Sequence, residues 1–277
     1  MRRLFTSLIA AFTMLIAANA QDLVVLHVGD THSHLEPERS GQEQGLGGVI
    51  ERAAYIDSVR ASIGRGRVLL LHAGDFSQGT SYFTLLKGDV EIRLINDLGY
   101  DAITLGNHEF DNGIEELTRR LKKVKCTVLC ANYDFSAFEL GKYVKPYTIV
   151  RRGGMKIGIF GLLTDISTVV EKTTADRLPH LGDMESAKKW SDYLKNQRGC
   201  DVVIALTHLG LKGFKFSDEL LARECGNIDY IVGGHSHTFI KEPVLVEDPQ
   251  GKVVPIVHAA CWGLKVGKLD IFKNVEN

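Results

Sequence analysis

The sequence predicts an α/β fold built as a single domain. Seven short apolar runs alternate with amphipathic stretches along the 277 residues, as they do where helices join buried parallel strands. No internal repeat, low-complexity tract or proline-rich linker divides the chain, and its six prolines are scattered. We therefore expect one domain with a large core.

The predicted elements follow this alternation in order. Apolar runs too short for helices predict strands at residues 23–28, 68–72, 102–105, 127–130, 157–160, 202–206 and 230–232. Amphipathic spacing predicts helices at residues 49–60, 115–123 and 187–198. Residues 253–260 and 264–272 are strand-like and separated by only three residues, which predicts a hairpin or meander. The least patterned segment, residues 165–183, is expected to be a surface excursion near the site.

Residues 1–20 have the pattern of a secretory signal peptide. Arg2 and Arg3 precede an apolar stretch at residues 8–18, and Ala18-Asn19-Ala20 resembles a cleavage site. The stretch is shorter than the roughly 20 residues of a membrane span. We expect residues 21–277 to form a periplasmic or secreted protein without stable membrane insertion.

Charge and cysteine content exclude two other classes of protein. Without Arg2 and Arg3, the 33 basic residues fall to 31 against 34 acidic ones, and no dense basic tract remains, so nucleic acid binding is not expected. Five cysteines cannot all pair within a monomer, and Cys126 and Cys130 lie too far apart along one strand face to bond. A protein held together by a disulfide framework is therefore not expected. We interpret this pair as small core residues, against a metal or redox role.

Five short polar segments each follow an apolar run, so one sheet edge would gather them. In order they are Asp30-Thr-His32, Gly74-Asp75, Gly106-Asn107-His108-Glu109-Phe110-Asp111, Thr207-His208 and Gly234-His235-Ser236-His237. In extended backbone, Asp30 and His32 would point to the same side and could hold one cation. Asp75 has two oxygens and could bridge two cations. Taken alone, Asp30-Thr-His32 is also compatible with an aspartate that ends a strand and a surface histidine, and Gly74-Asp75 with a turn or a helix N-cap.

The third segment is the most specific. Asn107 supplies a neutral oxygen ligand, and Asp111 lies three residues after His108, within hydrogen-bonding reach on a helical turn. Such a pair favours the protonated imidazole, as a donor to a phosphoryl oxygen or a leaving group requires. Capping of a helix by Asn107 is an alternative that leaves the histidine and aspartate unexplained.

Three further imidazoles complete the predicted site. His208, His235 and His237 come at strand ends, and Gly233 and Gly234 allow the chain to pass close to a ligand. Imidazole ligands favour zinc, manganese or iron over magnesium alone.

The remaining five histidines need separate interpretations. His27 and His72 are expected to pack inside strands, His180 and His258 have no evident partner, and His34 could reach the pocket.

The order of these segments resembles that of the calcineurin-like metallophosphoesterase superfamily. The GNHEFD and GGHSHT forms are most similar to the N-terminal catalytic domain of bacterial 5′-nucleotidases, including relatives that act as UDP-sugar hydrolases and 2′,3′-cyclic phosphodiesterases. The resemblance implies a four-layer α/β/β/α sandwich with two divalent ions, drawn from Mn, Zn, Fe, Co and Mg. It implies one ion on Asp30, His32, Asp75 and His237, the other on Asp75, Asn107, His208 and His235, and a catalytic dyad of His108 with Asp111.

By the same resemblance, the chain is expected to be a 5′-nucleotidase-like phosphomonoesterase that uses a metal-bridging hydroxide on a small phosphorylated substrate, in particular a nucleotide. One alternative is a UDP-sugar diphosphatase or a 2′,3′-cyclic nucleotide phosphodiesterase. Because the sequence is expected to lack the family's C-terminal specificity domain, another is the catalytic half of a split nucleotidase with a separately encoded partner. A non-catalytic binding protein is disfavoured by the intact dyad.

Overall fold

The computed structural model describes residues 22–273. The predicted signal peptide at residues 1–20 lies outside this range. Within it, twelve strands form two six-stranded mixed sheets. The strands are β1 Leu23–Val28, β2 Val68–His72, β3 Ala102–Thr104, β4 Thr127–Leu129, β5 Val144–Lys145, β6 Tyr147–Arg152, β7 Met155–Leu163, β8 Val202–His208, β9 Tyr230–Gly233, β10 Val244–Glu247, β11 Val253–His258 and β12 Gly267–Ile271. None of the helices in the described range is long and apolar enough to cross a membrane.

Seven α-helices accompany the sheets in residues 22–273. They are α1 Val49–Ile63, α2 Ser81–Leu86, α3 Asp89–Leu98, α4 Gly113–Leu121, α5 Lys172–Ala175, α6 Asp183–Asp192, which continues as a π-helical turn at Tyr193–Gln197, and α7 Asp218–Glu224. Short 3₁₀ helices lie at Arg65–Arg67, Asn107–Phe110, Glu139–Lys142 and Ile166–Thr168. The three predicted helices correspond to α1, α4 and α6, whereas the sequence did not predict α2, α3, α5 and α7.

The core has three layers of apolar contacts, because alternate residues of each strand face opposite sides. In β1, Leu23 and Val25 pack between the two sheets, while Val24 and Leu26 face the helices on the outer side. The outer side of the second sheet buries a separate cluster with α6 and α7. This arrangement of helices, sheet, sheet and helices confirms the four-layer α/β/β/α sandwich in a single domain.

Parallel strands make up most of each sheet, and in the first sheet they extend from β1 to the edge strand β5. The first sheet has the order β12-β1-β2-β3-β4-β5 and the second β10-β11-β9-β8-β7-β6. Strands β1 to β3 run parallel, as do β7 to β9, so their carboxyl ends lie at common edges.

The predicted hairpin of residues 253–260 and 264–272 is wrong. Strand β11 pairs with β9 and β10 in the second sheet, whereas β12 pairs antiparallel with β1 in the first, with Leu23 opposite Ile271. The connection crosses between sheets because Ala260, Trp262 and Gly263 adopt left-handed backbone, with φ of 59°, 57° and 65°. Long-range pairing with β1 thus overrides the short separation along the sequence.

The structure also tests two local predictions. Residues 165–183 lie mostly at the surface, as predicted, although they form a 3₁₀ turn and α5 and bury Ile166, Ala175 and Leu178 in the core on the helix side of the first sheet. All five cysteines are free, and Cys126 and Cys130 pack in or against that core, which confirms their interpretation as packing residues.

Candidate metal centre

The predicted site residues converge where the carboxyl ends of the two sheets meet. The loop after β1 binds the loop after β2, because the Asp30 and His32 amides donate to the carbonyls of Gly74 and Asp75 at 2.9 and 3.0 Å. The loop after β9 joins them, because the His235 amide donates to Asp30 Oδ1 at 2.9 Å. Backbone pairing between loops therefore assembles residues from distant parts of the sequence.

Left-handed backbone is concentrated at this edge. Five of the seven predicted ligand residues have positive φ, namely Asp30 at 50°, His32 at 44°, Asp75 at 51°, His235 at 80° and His237 at 53°. This conformation costs a non-glycine residue of order 1–2 kcal/mol and tends to cluster at ligand-binding sites. The extended backbone expected for Asp30 and His32 is therefore wrong, although both side chains reach the site.

The first ligand group contains Asp30, His32 and His237, whose donor atoms lie within 4.8 Å of one another. The Nε2 atoms of His32 and His237 are 2.9 Å apart, and His237 Nε2 is 3.6 Å from Asp30 Oδ1. His32 Nε2 also lies 3.8 Å from Asp75 Oδ2. Such a spacing of imidazole nitrogens and carboxylate oxygens suits a divalent cation.

The second group contains Asp75, His208 and His235 at the same spacing. His208 Nδ1 donates to the Ala73 carbonyl at 2.7 Å, which directs Nε2 towards Asp75 Oδ2, 3.0 Å away. A backbone acceptor of this kind orients many metal-binding imidazoles. The Asn107 side-chain oxygen is buried and has no protein hydrogen-bond partner, as expected for an atom reserved for a cation.

Asp75 lies between the two groups. Its Oδ2 approaches both His32 and His208, and its Oδ1 accepts the His108 amide at 2.9 Å. A third possible group, His32, Asp75 and His108, overlaps the first two. The position of Asp75 is the one expected for a carboxylate shared by two ions.

Burial and mutual charge perturb the acids and bases of the centre. Burial raises the pKa of Asp30 to about 7 and lowers the pKa of His32 and of His235 to about 4. Burial opposes both charges of the Asp75 and His208 pair, yet their contact lowers the pKa of Asp75 and raises that of His208 to about 10. Metal binding to these groups would release the protons that they carry.

The two residues predicted to act as a dyad lie in contact at the rim of the centre. His108 Nδ1 lies 2.8 Å from Asp111 Oδ2. His108 is part of the 3₁₀ helix Asn107–Phe110, and Asp111 directly follows that helix. The hydrogen bond to Asp111 raises the pKa of His108. The His108 ring, 31% exposed, meets the His32 ring edge-on at 5.3 Å, so its Nε2 is the nitrogen left for a substrate.

Glu109 was not singled out in the sequence, although it lies inside the most specific segment. Its buried carboxylate accepts the amides of Asp75 and Gly106 on one oxygen, at 2.9 and 2.7 Å, and that of Ser77 on the other, at 3.0 Å. Burial raises the pKa of Glu109 to about 6. A Cβ at Gly106 would collide with the Asp75 carboxylate, so glycine is required at this close approach. Glu109 therefore fixes the Asp75 loop against the Asn107 loop.

A second buried network supports His208 from behind. Asp218 accepts from Thr207 Oγ1 at 2.6 Å, and its other oxygen lies 2.7 Å from His258 Nε2, with all three side chains nearly inaccessible. This contact supplies the partner of His258 that sequence reasoning did not find. Asp218 could have been found only from the fold, since it lies well past the strand end in the sequence.

The other histidines lie outside the ligand groups of the described residues. His180 bonds Asp183 at 2.7 Å, and His34 bonds Glu38 and stacks on Trp262 at 5.1 Å. His72 and His27 are buried in strands, as expected. The possible approach of His34 to the pocket is therefore not seen.

Comparison with known proteins agrees with this geometry. Residues 23–239 match the family model described as calcineurin-like phosphoesterase. A snake venom 5′-nucleotidase of Gloydius brevicauda is 35% identical over 92% of this chain and 46% of its own length, and the human 5′-nucleotidase is 33% identical over 92% and 47%. The chain thus spans about half the length of the curated relatives it matches.

Solved structures give the same relationship. A 5′-nucleotidase precursor from Thermus thermophilus superposes with a TM-score of 0.78 at 36% identity, over 89% of this chain and 50% of that one. The NAD nucleotidase of Haemophilus influenzae superposes with a TM-score of 0.77 at 31% identity, over 89% and 46%. The chain therefore belongs to the calcineurin-like phosphoesterase family of metal-dependent phosphoester hydrolases, and it is homologous to the N-terminal domain of 5′-nucleotidases.

Proposed function

We propose that residues 21–277 form an exported phosphomonoesterase of the 5′-nucleotidase type with two divalent metal ions. The observation that carries the proposal is Asp75, one carboxylate placed between two imidazole-rich ligand groups. Export is supported by the charged, apolar and small-residue pattern of residues 1–20.

Each ion would take four protein ligands. Asp30, His32, Asp75 and His237 would hold one, and Asp75, Asn107, His208 and His235 the other, which fits the two observed groups and the unpartnered Asn107 oxygen. The donors suit Mn, Zn, Fe or Co, with Mg less favoured by so many imidazoles. When bound, such ions lower the pKa of an attacking water and neutralise charge on the phosphoryl group.

His108 and Asp111 would carry the proton chemistry of the chain itself. Asp111 holds His108 Nδ1, so the protonated ring presents its Nε2–H towards the site, where it can donate to a phosphoryl or leaving-group oxygen. Asp111 also favours the charged imidazolium, which stabilises negative charge developing on the transferred group.

Matched variants separate metal binding from turnover. Asp75→Asn should lose metal, measured by elemental analysis, together with hydrolysis of an activated phosphate monoester. His108→Ala should retain metal but lose about 10²- to 10⁴-fold in turnover, the usual contribution of a positioned proton donor. Asp97→Asn, at an exposed aspartate of α3, is the control and should match the parent. Parental activity in Asp75→Asn would show that the site is misassigned.

A second candidate is hydrolysis of a phosphoanhydride or a cyclic phosphodiester. The solved NAD nucleotidase relative favours the phosphoanhydride, because NAD is a dinucleotide joined through a phosphoanhydride. Product analysis after incubation with AMP, UDP-glucose and 2′,3′-cyclic AMP distinguishes the three reactions. Release of phosphate from AMP, with no product from UDP-glucose or 2′,3′-cyclic AMP, would support the monoesterase.

The curated relatives extend beyond the half that this chain matches. A C-terminal nucleotidase domain, encoded separately or together with this chain, would supply nucleotide recognition. Adding that domain from a relative should lower the KM for AMP and leave hydrolysis of a small aryl phosphate unchanged. Ordinary efficiency on AMP by this chain alone would make the partner unnecessary.

A further inference from the structure

A small cavity with both polar and apolar lining lies directly behind the loop that carries Asp30 and His32. It has a volume of about 20 Å³ and is bounded by that loop, by α1 and α3, and by the end of β2. None of the seven proposed ligands lines it. It is therefore separate from the metal centre but shares a wall with it.

Four polar side chains on the cavity wall are almost completely buried. Ser33, Arg52, His72 and Glu91 are 1%, 6%, 2% and 4% exposed. Each has buried polar atoms without a protein hydrogen-bond partner: Ser33 Oγ, Arg52 Nε and Nη1, His72 Nδ1, and both carboxylate oxygens of Glu91. Groups of this kind are rare in folded proteins, and a bound ligand or water usually accounts for them.

The charges on the wall restrict what the cavity can bind. An unpaired carboxylate or guanidinium in the interior costs several kcal/mol. Arg52 would repel a metal cation, and Glu91 would repel an anion. An apolar molecule would leave both charges unsatisfied.

A water molecule is compatible with both charged groups. It can donate to the two Glu91 oxygens while it accepts from Arg52 and from Ser33 or His72, and buried waters make about three such bonds. A cavity needs at least about 10–15 Å³ to hold one water, so a volume of about 20 Å³ holds one. We propose that this cavity binds a single structural water, which connects Glu91 of α3 and Arg52 of α1 to the loop of Asp30 and His32.

The bound water gives Glu91 a positioning role. The loop is already held on its other side, because His32 and Ser33 donate their amides to the Asp75 and Phe76 carbonyls and Thr31 Oγ1 lies 3.1 Å from His72 Nε2. The water adds the link from the helices, and so fixes the loop that places two ligands of the first ion. The water site stands without the proposed function, whereas its effect on metal affinity depends on that ligand assignment.

The first test needs no variant. A high-resolution crystal structure of the metal-loaded parent should show one water within hydrogen-bonding distance of Glu91 and of at least one of Arg52, Ser33 and His72. A direct ion pair between Arg52 and Glu91, or a cavity with no density in it, would overturn the proposal.

Variants of Glu91 test the positioning role. Glu91→Leu should lose the water and weaken Mn²⁺ affinity about tenfold, the lower end of the effect of residues that support metal ligands. Glu91→Gln keeps an acceptor and should retain the water and most of the affinity. Asp97→Leu, on the exposed side of the same helix, should keep both the water and the parental Mn²⁺ affinity.

The two readouts are independent of turnover. Affinity is measured by competition with a chelating dye, and thermal unfolding checks that each variant is folded. If Glu91→Leu does not fold, the parent structure and Glu91→Gln still decide the question. Parental affinity in a folded Glu91→Leu would overturn the positioning role. Failure to hydrolyse any phosphoester would contradict the proposed function and leave the water site intact.

Discussion

Replacing Glu109 by glutamine exchanges one carboxylate oxygen for an amide nitrogen and should loosen the loops that hold Asp75 and Asn107. The parent carboxylate accepts three amides, two on one oxygen and one on the other. In its better orientation, the glutamine oxygen still accepts from Asp75 and Gly106, but its NH₂ group faces the Ser77 amide. One buried donor is then unpaired, at a cost of about 1–3 kcal/mol.

Two measurements check this expectation for Glu109→Gln. Urea unfolding of the chelated protein should show a loss of about 2 kcal/mol. Metal affinity should fall about 10- to 100-fold, because the residues that hold Asp75 and Asn107 in place are weakened. Glu115→Gln, on the exposed face of α4, is the matched control and should match the parent in both. Parental values for Glu109→Gln would refute the conclusion that the three amide bonds fix the loops.

Three further outcomes are expected. Burial lowers the pKa of His27 from 6.5 to about 3, so below pH 6.5 the unfolded chain binds a proton that the folded protein excludes. On acidification, the free energy of unfolding of the chelated parent should therefore fall by up to about 1.4 kcal/mol per pH unit more than that of His27→Leu. Equal slopes of unfolding free energy against pH would contradict this. Gly233→Ala places a Cβ against Asp218 and His258 and should lower the free energy of unfolding in urea by about 1–3 kcal/mol. An unchanged urea midpoint would mean that these two side chains move aside without loss of stability. Removing metal with a chelator should lower the melting temperature, and saturation at about 100 times Kd should restore about 2.7 kcal/mol; no shift would argue against binding to the folded state.

The sequence correctly predicts the buried strands and the sheet edge at which their polar end segments gather. Buried strands show as short apolar runs, and parallel strands present their carboxyl ends together, so the edge that gathers Asp30, Asp75 and His208 follows from local patterns. Helix α3 carries Ile92, Ile95 and Leu98 at helical spacing, a signal that was missed.

Other features depend on contacts that no local pattern contains. The pairing of β12 with β1 joins the two ends of the described chain, and the contact of Asp218 with His258 joins residues 40 positions apart. The left-handed backbone at His235 and His237 arises because the loops bind one another, which residue types alone do not reveal. Whether the seven predicted ligands bind metal stays a prediction for the assays above.

The pairing of β12 with β1 also decides how the described chain could be circularly permuted. Because β12 runs antiparallel to β1 and Ile271 lies opposite Leu23, both ends of the described chain are at the amino end of β1. The metal centre lies beyond the other end of that strand, roughly 17 Å away over about five residues. A circular permutant that joins residue 273 to residue 22 would need only a short linker, and that linker would lie away from the metal centre.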